Sequence, residues 1–83
     1  MFNVAEEGCK LLVYGVDQNM ANGDIQAEFE VCGQVVDVYN TGKGLAFVTF
    51  DRKEDGSAAI AKLDGYTLNG QQIKVNDARP RGD

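Results

Sequence analysis

The chain of 83 residues contains no histidine. That removes the usual histidine-containing zinc sites and most acid–base and nucleophilic constellations built around an imidazole. Its two cysteines, Cys9 and Cys32, have no CxxC spacing, so neither a zinc ribbon nor a redox dithiol is indicated. A disulfide between them is compatible with the sequence, but in an intracellular protein two reduced, partly buried thiols are the expectation. No apolar run is long enough to cross a bilayer as a helix. Residues 1–8 carry Glu6 and Glu7 and no apolar stretch, unlike the core of a secretory leader. Basic residues are outnumbered, 8 Lys and Arg against 13 Asp and Glu, for a formal charge of −5. Such a balance counts against nucleic-acid binding unless the few cations are gathered on one surface. From this inventory we expect no enzyme, no metal, no cofactor, no small-molecule substrate and no membrane association.

What is present is a short, ordinary globular pattern. A chain of this length buries only about 60% of the surface its unfolded form exposes, so one small domain is expected. Residues 10–16, KLLVYGV, are a short apolar run ended in glycine, a buried strand. After the turn-rich residues 17–23 the period changes. Ile25, Phe29 and Cys32 fall at i, i+4 and i+7, which predicts a helix from about Ala21 or Asn22 to Cys32, with Asp24 in its first turn and Gly33 as C-terminal cap. Residues 35–40, VVDVYN, and 43–50, KGLAFVTF, read as two strands; the short link Thr41-Gly42 makes them an antiparallel hairpin. A second helix is predicted around Gly56, Ala59, Ile60 and Leu63, stopped at Asp64-Gly65. Leu68-Asn69-Gly70 is a turn signal, and residues 72–76, holding Ile73 and Val75, a last strand. The order β-α-β-β-α-β is the ferredoxin-like α+β sandwich, a four-stranded antiparallel sheet with two helices on one face. Its other face is left to solvent or a ligand.

The third strand carries the most specific signal. Residues 43–50 are Lys43-Gly44-Leu45-Ala46-Phe47-Val48-Thr49-Phe50, and seven of the eight positions match the K/R-G-F/Y-G/A-F-V-x-F/Y signature, Leu45 being the departure. Residues 11–16, LLVYGV, resemble the partner signature on the first strand, with Leu12 where an aromatic usually stands. The chain therefore resembles the RNA-recognition-motif family over almost its whole length. Residues 10–16 and 23–30 are loosely similar to mRNA export adaptors of the ALY/REF type, the short hairpin to serine/arginine-rich splicing factors, and residues 75–81 to glycine-rich RNA-binding proteins. The resemblance implies a domain over residues 10–78, an N-terminal extension over 1–9, and the start of a polar, Arg-containing tail over 79–83. Arg81-Gly82-Asp83 matches an integrin-ligand tripeptide, which is too short a match to weigh.

The resemblance also implies single-stranded RNA as partner, bound on the open sheet face by stacking and phosphate contacts. Strand alternation sends Ala46, Val48 and Phe50, with Leu11 and Val13, to the helices, and Leu45, Phe47, Leu12 and Tyr14 to the open face. Val35 and Val38 are expected inward, Asp37 and Tyr39 outward, and Lys74 and Asn76 outward on the last strand. The family stacks bases on rings at up to three sites; of these only Phe47 is aromatic here, Leu12 and Leu45 offering an apolar floor and Tyr14 and Tyr39 potential substitutes. Lys10, Lys43, Lys74, Arg79 and Arg81 belong to that face or the tail, opposed by Asp37 and Asp77. Glu28, Glu30, Glu54, Asp55 and Asp64 belong to the helices or their ends. The expected function is a weak RNA-binding module of an mRNA-processing protein, monomeric and intracellular, the nucleus being favoured over the cytoplasm or an RNA-processing organelle. The alternative is a protein-interaction module of the same fold, using its acidic helical face while flanking Arg-rich segments bind RNA. A ferredoxin-like enzyme of acylphosphatase type is the remote third, since no phosphate-cradling loop is present.

Overall fold

A computed structural model describes residues 9–78. Its elements run β1 (Cys9–Tyr14), α1 (Asn22–Phe29), β2 (Val35–Asn40), β3 (Leu45–Phe50), α2 (Lys53–Leu63), β4 (Thr67–Leu68), β5 (Gln71–Gln72) and β6 (Lys74–Asp77). Four strands form one sheet in the order β2-β3-β1-β6, with every pairing antiparallel. This is the expected α+β sandwich. The core lies between the sheet and the helices: Leu11, Val13, Ile25, Phe29, Ala46, Val48, Phe50 and Ala59 are fully enclosed. Phe29 of α1 and Phe50 of β3 meet as tilted rings with centroids 6.4 Å apart, a favourable arrangement beyond their buried area.

Close approach of α2 to the sheet rests on Gly56. A methyl group there would fall on the Cys9 side chain, so a larger residue would hold the helix away from β1. Cys9 is buried and Cys32 half-buried, both as thiols. Burial pushes the Cys32 thiol above its ordinary range, against the opposing pull of Lys62 and with a smaller push from Asp55.

Several local expectations are corrected. α1 stops at Phe29 with Glu30 as its cap, not at Cys32. Residues 30–33 instead tighten into successive three-residue turns, Cys32 N–H donating to Phe29 O at 3.0 Å and Gly33 N–H to Glu30 O at 3.3 Å. Cys32 still packs against the core, which is why it kept the helical phase. Gly33 is not in the left-handed cap conformation; its missing side chain makes room for Asp55 of α2.

The link between β2 and β3 runs over residues 41–44 and not two residues only. Gly42 and Gly44 take φ of 84° and 86°, and the Thr41 backbone N–H and its Oγ1 both donate to Leu45 O, at 2.9 and 2.8 Å. Lys43 consequently sits in the loop, not on β3. The last strand is also divided. Thr67–Leu68 and Gln71–Gln72 pair across Asn69-Gly70, both with positive φ, the geometry of a two-residue hairpin turn. The chain breaks at Ile73 before β6 joins the main sheet.

Candidate nucleic-acid interface

The sheet face away from the helices is built from strand register. On β3 the alternation is strict: Ala46, Val48 and Phe50 are buried, while Leu45, Phe47 and Thr49 are half-buried on the other side. On β1 Cys9, Leu11 and Val13 are buried, Lys10 and Tyr14 exposed and Leu12 half-buried. β2 would break this pattern, because Val35 and Val38 cannot both face inward in a regular strand. A register shift between Val35 and Asp37 resolves it. Val36 is the extra residue of a bulge, so Val35 pairs with Phe50 and Val38 with Val48 on the core side. Tyr39 then returns to the open face.

Two rows cross that face. Tyr39 lies opposite Phe47, Phe47 opposite Leu12, and Leu12 opposite Asn76. The row thus spans all four strands with two aromatic rings, one apolar side chain and one amide. In the second row Leu45 lies opposite Tyr14, and Tyr14 opposite Lys74. Tyr39 is 57% and Tyr14 43% exposed, so both tyrosines present surface that directly cross-paired strand neighbours leave uncovered. Lys10 adds a third element: its Nζ lies 5.1 Å from the Phe47 ring centroid, within cation–π range. The ammonium lies over the ring, so a base that stacks on Phe47 has to displace it, which leaves the ammonium available to a phosphate.

Most of the candidate residues are brought together in this way. Phe47, Leu45, Leu12, Tyr14, Tyr39, Lys10, Lys74 and Asn76 share the open face. Lys43 is exposed in the β2–β3 loop beside it. That loop is fastened to the exit of β1, where the Gly15 and Val16 N–H groups donate to Gly44 O at 2.8 and 3.3 Å. Arg79, with Arg81, lies outside the described residues. Asp77 is a correction: it pairs with Leu11, so the register turns it toward the helix side of the sheet. Among the described residues that face then carries Lys10 and Lys74 against Asp37. The residues of α1, α2 and their ends carry Asp24, Glu28, Glu30, Glu54, Asp55 and Asp64, together with Lys53, Lys62 and Arg52, the α2 N-cap, which pairs with Glu54 at 3.4 Å. An overall acidic chain thereby presents a mildly basic front.

One feature escaped sequence reasoning. Beyond Tyr14 and Lys74, around the β6 edge of the sheet, lies a hollow lined also by Asp64, Gly65, Gln72 and Ile73. It exists because the β4–β5 hairpin folds back beside β6, and the only sequence sign of that hairpin was Asn69-Gly70.

Comparison with known proteins bears on family and fold. The family model described as the RNA recognition motif matches residues 11–74. A Sex-lethal homolog of Chrysomya rufifacies is 35% identical over 92% of this chain and 27% of its own length. Glycine-rich RNA-binding protein 3, mitochondrial, of Arabidopsis thaliana is 38% identical over 87% of this chain and 27% of its own. The chain thus spans about a quarter of the length of these relatives. Among solved structures, a Sex-lethal protein/RNA complex superposes with a TM-score of 0.78 at 32% identity, covering 92% of this chain and 50% of that one. The Pes4 RRM3 structure superposes with a TM-score of 0.80 over 89% of this chain and 95% of that one; at 20% identity it shows the fold alone.

Proposed function

Because this chain belongs to the RNA recognition motif family, we propose that its residues 10–78 bind single-stranded RNA across the open sheet face, as a non-catalytic module of an mRNA-processing protein. The observation that carries this is the row Tyr39–Phe47–Leu12–Asn76, held in register on the face the helices leave uncovered. Two neighbouring rings stack consecutive bases, Leu12 and Leu45 pack against sugars or base edges, and Asn76 supplies hydrogen bonds. Lys10, Lys43 and Lys74, with Arg79 from the tail, contact phosphates. A structural relative described as a protein/RNA complex supports the reading.

Binding is weak, since two of the three sites where the family usually places rings hold Leu12 and Leu45. Each stacked base contributes roughly 1–3 kcal/mol by alanine substitution. Titration with short homopolymeric RNAs at two salt concentrations, followed by NMR, is expected to shift sheet-face amides and to weaken as salt rises. Phe47→Ala should lower affinity about 5- to 150-fold, and Tyr39→Ala and Tyr14→Ala should each lower it measurably. Silence of the sheet face toward every RNA would sink the proposal. Unchanged affinity in both tyrosine variants, with Phe47→Ala abolishing binding, would confine the platform to one ring.

The module acts as a monomer inside the cell. The nucleus remains our reading, although relatives named as mitochondrial and chloroplastic proteins make an organelle the main rival; imaging of the tagged full-length protein decides. The second reading, a protein-interaction module working through α1 and α2, draws on the acidic helical side: Glu30, Asp51, Glu54 and Asp64 are exposed, Glu54 being paired with Arg52. It predicts that charge reversal on the helices abolishes partner capture and leaves RNA titrations as they were.

A further inference from the structure

The hollow at the β6 edge continues the open face and differs from it in chemistry. Its volume is about 360 Å³, and its lining is Tyr14, Asp64, Gly65, Gln72, Ile73 and Lys74. That size lies at the lower end of small-ligand sites. Tyr14 brings the hollow an exposed ring. Its register neighbours are Leu45 on one side and Lys74 on the other, so a strand of nucleotides leaving the platform across β1 reaches the hollow next.

The walls are held in place by the local fold. Asp64 Oδ1 accepts the Val75 N–H at 3.0 Å, which fixes the carboxylate at the start of β6. Gln72 Nε2 donates to Gly65 O at 3.0 Å, anchoring its amide nitrogen. Gly65 N–H donates to Ile73 O and Ile73 N–H to Tyr66 O, both at 2.8 Å, closing the base of the hairpin against β6. An ionised carboxylate only accepts hydrogen bonds and has room for several donors beyond Val75 N–H; an ammonium only donates. The hollow therefore combines a π-face, a fixed acceptor and a cation.

Among the four RNA bases, guanine matches that combination. Its Watson–Crick edge places two adjacent donors, N1–H and the N2 amino group, beside the O6 acceptor. Uracil offers one donor between two acceptors, and adenine and cytosine each offer one amino group beside ring acceptors. A carboxylate takes the paired guanine donors and a lysine takes O6, as lysine does in base recognition generally. We propose that this hollow is a guanine-binding pocket, with Tyr14 stacked on the base, Asp64 accepting from N1–H and N2 and Lys74 donating to O6. The pocket gives sequence preference to a platform that otherwise stacks bases without distinction, and it rests on the RNA-binding reading above.

The test uses the full chain and two kinds of probe. In NMR titrations with GMP, AMP, CMP and UMP, GMP alone should shift the amides of Gly65, Gln72 and Lys74. In fluorescence anisotropy, single-guanine variants of an oligouridine octamer should bind at least about fivefold tighter than the all-uridine strand at the best guanine position, within the range of one paired base contact. Asp64→Asn keeps an oxygen for the Val75 N–H, so it preserves the fold, which circular dichroism checks. It presents an amide in place of the carboxylate, and the affinity ratio of guanine-containing to all-uridine strands should collapse to about one. Equal binding of all four mononucleotides, or a guanine preference that survives Asp64→Asn, overturns the pocket. If oligouridine binds and loses affinity in Phe47→Ala while no guanine preference is seen, the pocket fails and the platform stands. If no strand binds at all, both fail.

Discussion

At the scale of single residues, two glycines of the helices show how the same substitution has opposite signs in different surroundings. Gly56 of α2 is buried, and a Cβ added to it would collide with the Cys9 side chain, Cβ as well as Sγ. Cys9 is itself enclosed on β1, so it cannot move without displacing the helix or the strand. Gly23, in the first turn of α1, has nothing within 4 Å of such a Cβ and an ordinary negative φ. Replacing a glycine there reduces the freedom of the unfolded chain and improves helix propensity. Gly56→Ala is therefore expected to destabilise by about 1–3 kcal/mol, the usual cost of overpacking, and Gly23→Ala to stabilise by about 0.5 kcal/mol. Urea denaturation of both variants beside the parent chain measures the two shifts; a stabilised Gly56→Ala would mean that α2 is not held against Cys9. The contrast was invisible in the sequence, where Gly23 closes a turn-rich stretch at the start of the first helix and Gly56 opens the apolar pattern of the second; only the packing partner separates them in the fold.

At the scale of elements, α1 is the shorter helix, with 8 residues against 11 in α2. It begins at Asn22 behind Ala21, whose backbone is extended at φ −73° and ψ 153° as a cap requires but whose side chain caps nothing. Buried Ile25 and Phe29 dock the helix on the sheet, and its N-terminal end is further tied by Asn22, whose Oδ1 accepts the Asn40 N–H at 2.9 Å, and by Asn40, whose Nδ2 donates to Asp17 O and Met20 O at 3.2 and 3.0 Å. The Asp24 and Ile25 N–H groups already donate to Ala21 O at 3.0 and 3.2 Å; Ala21→Ser adds a hydroxyl acceptor at the start of the first turn and should stabilise by about 0.5–1 kcal/mol. Hydrogen exchange is the sharper readout, with slower exchange expected in α1; unchanged protection would show that the turn's donors are already satisfied. Periodicity made the helix legible through Ile25 and Phe29, but its end was misread because Cys32 keeps the same phase while the backbone has already tightened. The hairpin link failed in the same way. Thr41-Gly42 announced a turn, yet Gly44 also adopts a positive φ, and that second reversal moves Lys43 off the strand. Local residue types mark where the chain bends; how many residues the bend takes depends on hydrogen bonds to distant strands, here from Gly15 and Val16 to Gly44 O. The bulge at Val36 is the converse case: the demand that Val35 and Val38 both face inward already implied an extra residue between them.

At the scale of the whole molecule, the question is how the proposed RNA binding squares with a formal charge of −5. Sorting by face answers it. The acidic side chains Asp24, Glu28, Glu30, Glu54 and Asp55 belong to the helices and their ends, on the side of the sheet away from the platform, and salt weakens their effect because charges farther apart than about 8 Å interact little through solvent; Asp64 is the exception, lining the hollow beside Tyr14 and Lys74. Affinity then depends on the local cations, Lys10, Lys43 and Lys74. Each phosphate neutralised on a single strand contributes about −0.7 to the slope of log affinity against log salt, so three contacts give a slope of about −2. Arg79 and Arg81 would bring it to about −3.5 if both engage. Measuring oligouridine affinity over a series of salt concentrations for the full chain and for a chain ending at Ala78 separates these contributions. A slope near −2 in both assigns binding to the sheet and its loop. A steeper slope in the full chain alone assigns the difference to residues 79–83, and Lys43→Ala should in either case reduce the slope by about 0.7. A slope near zero would mean that phosphates are not held at all, and that the open face recognises bases or a protein surface by stacking and packing alone.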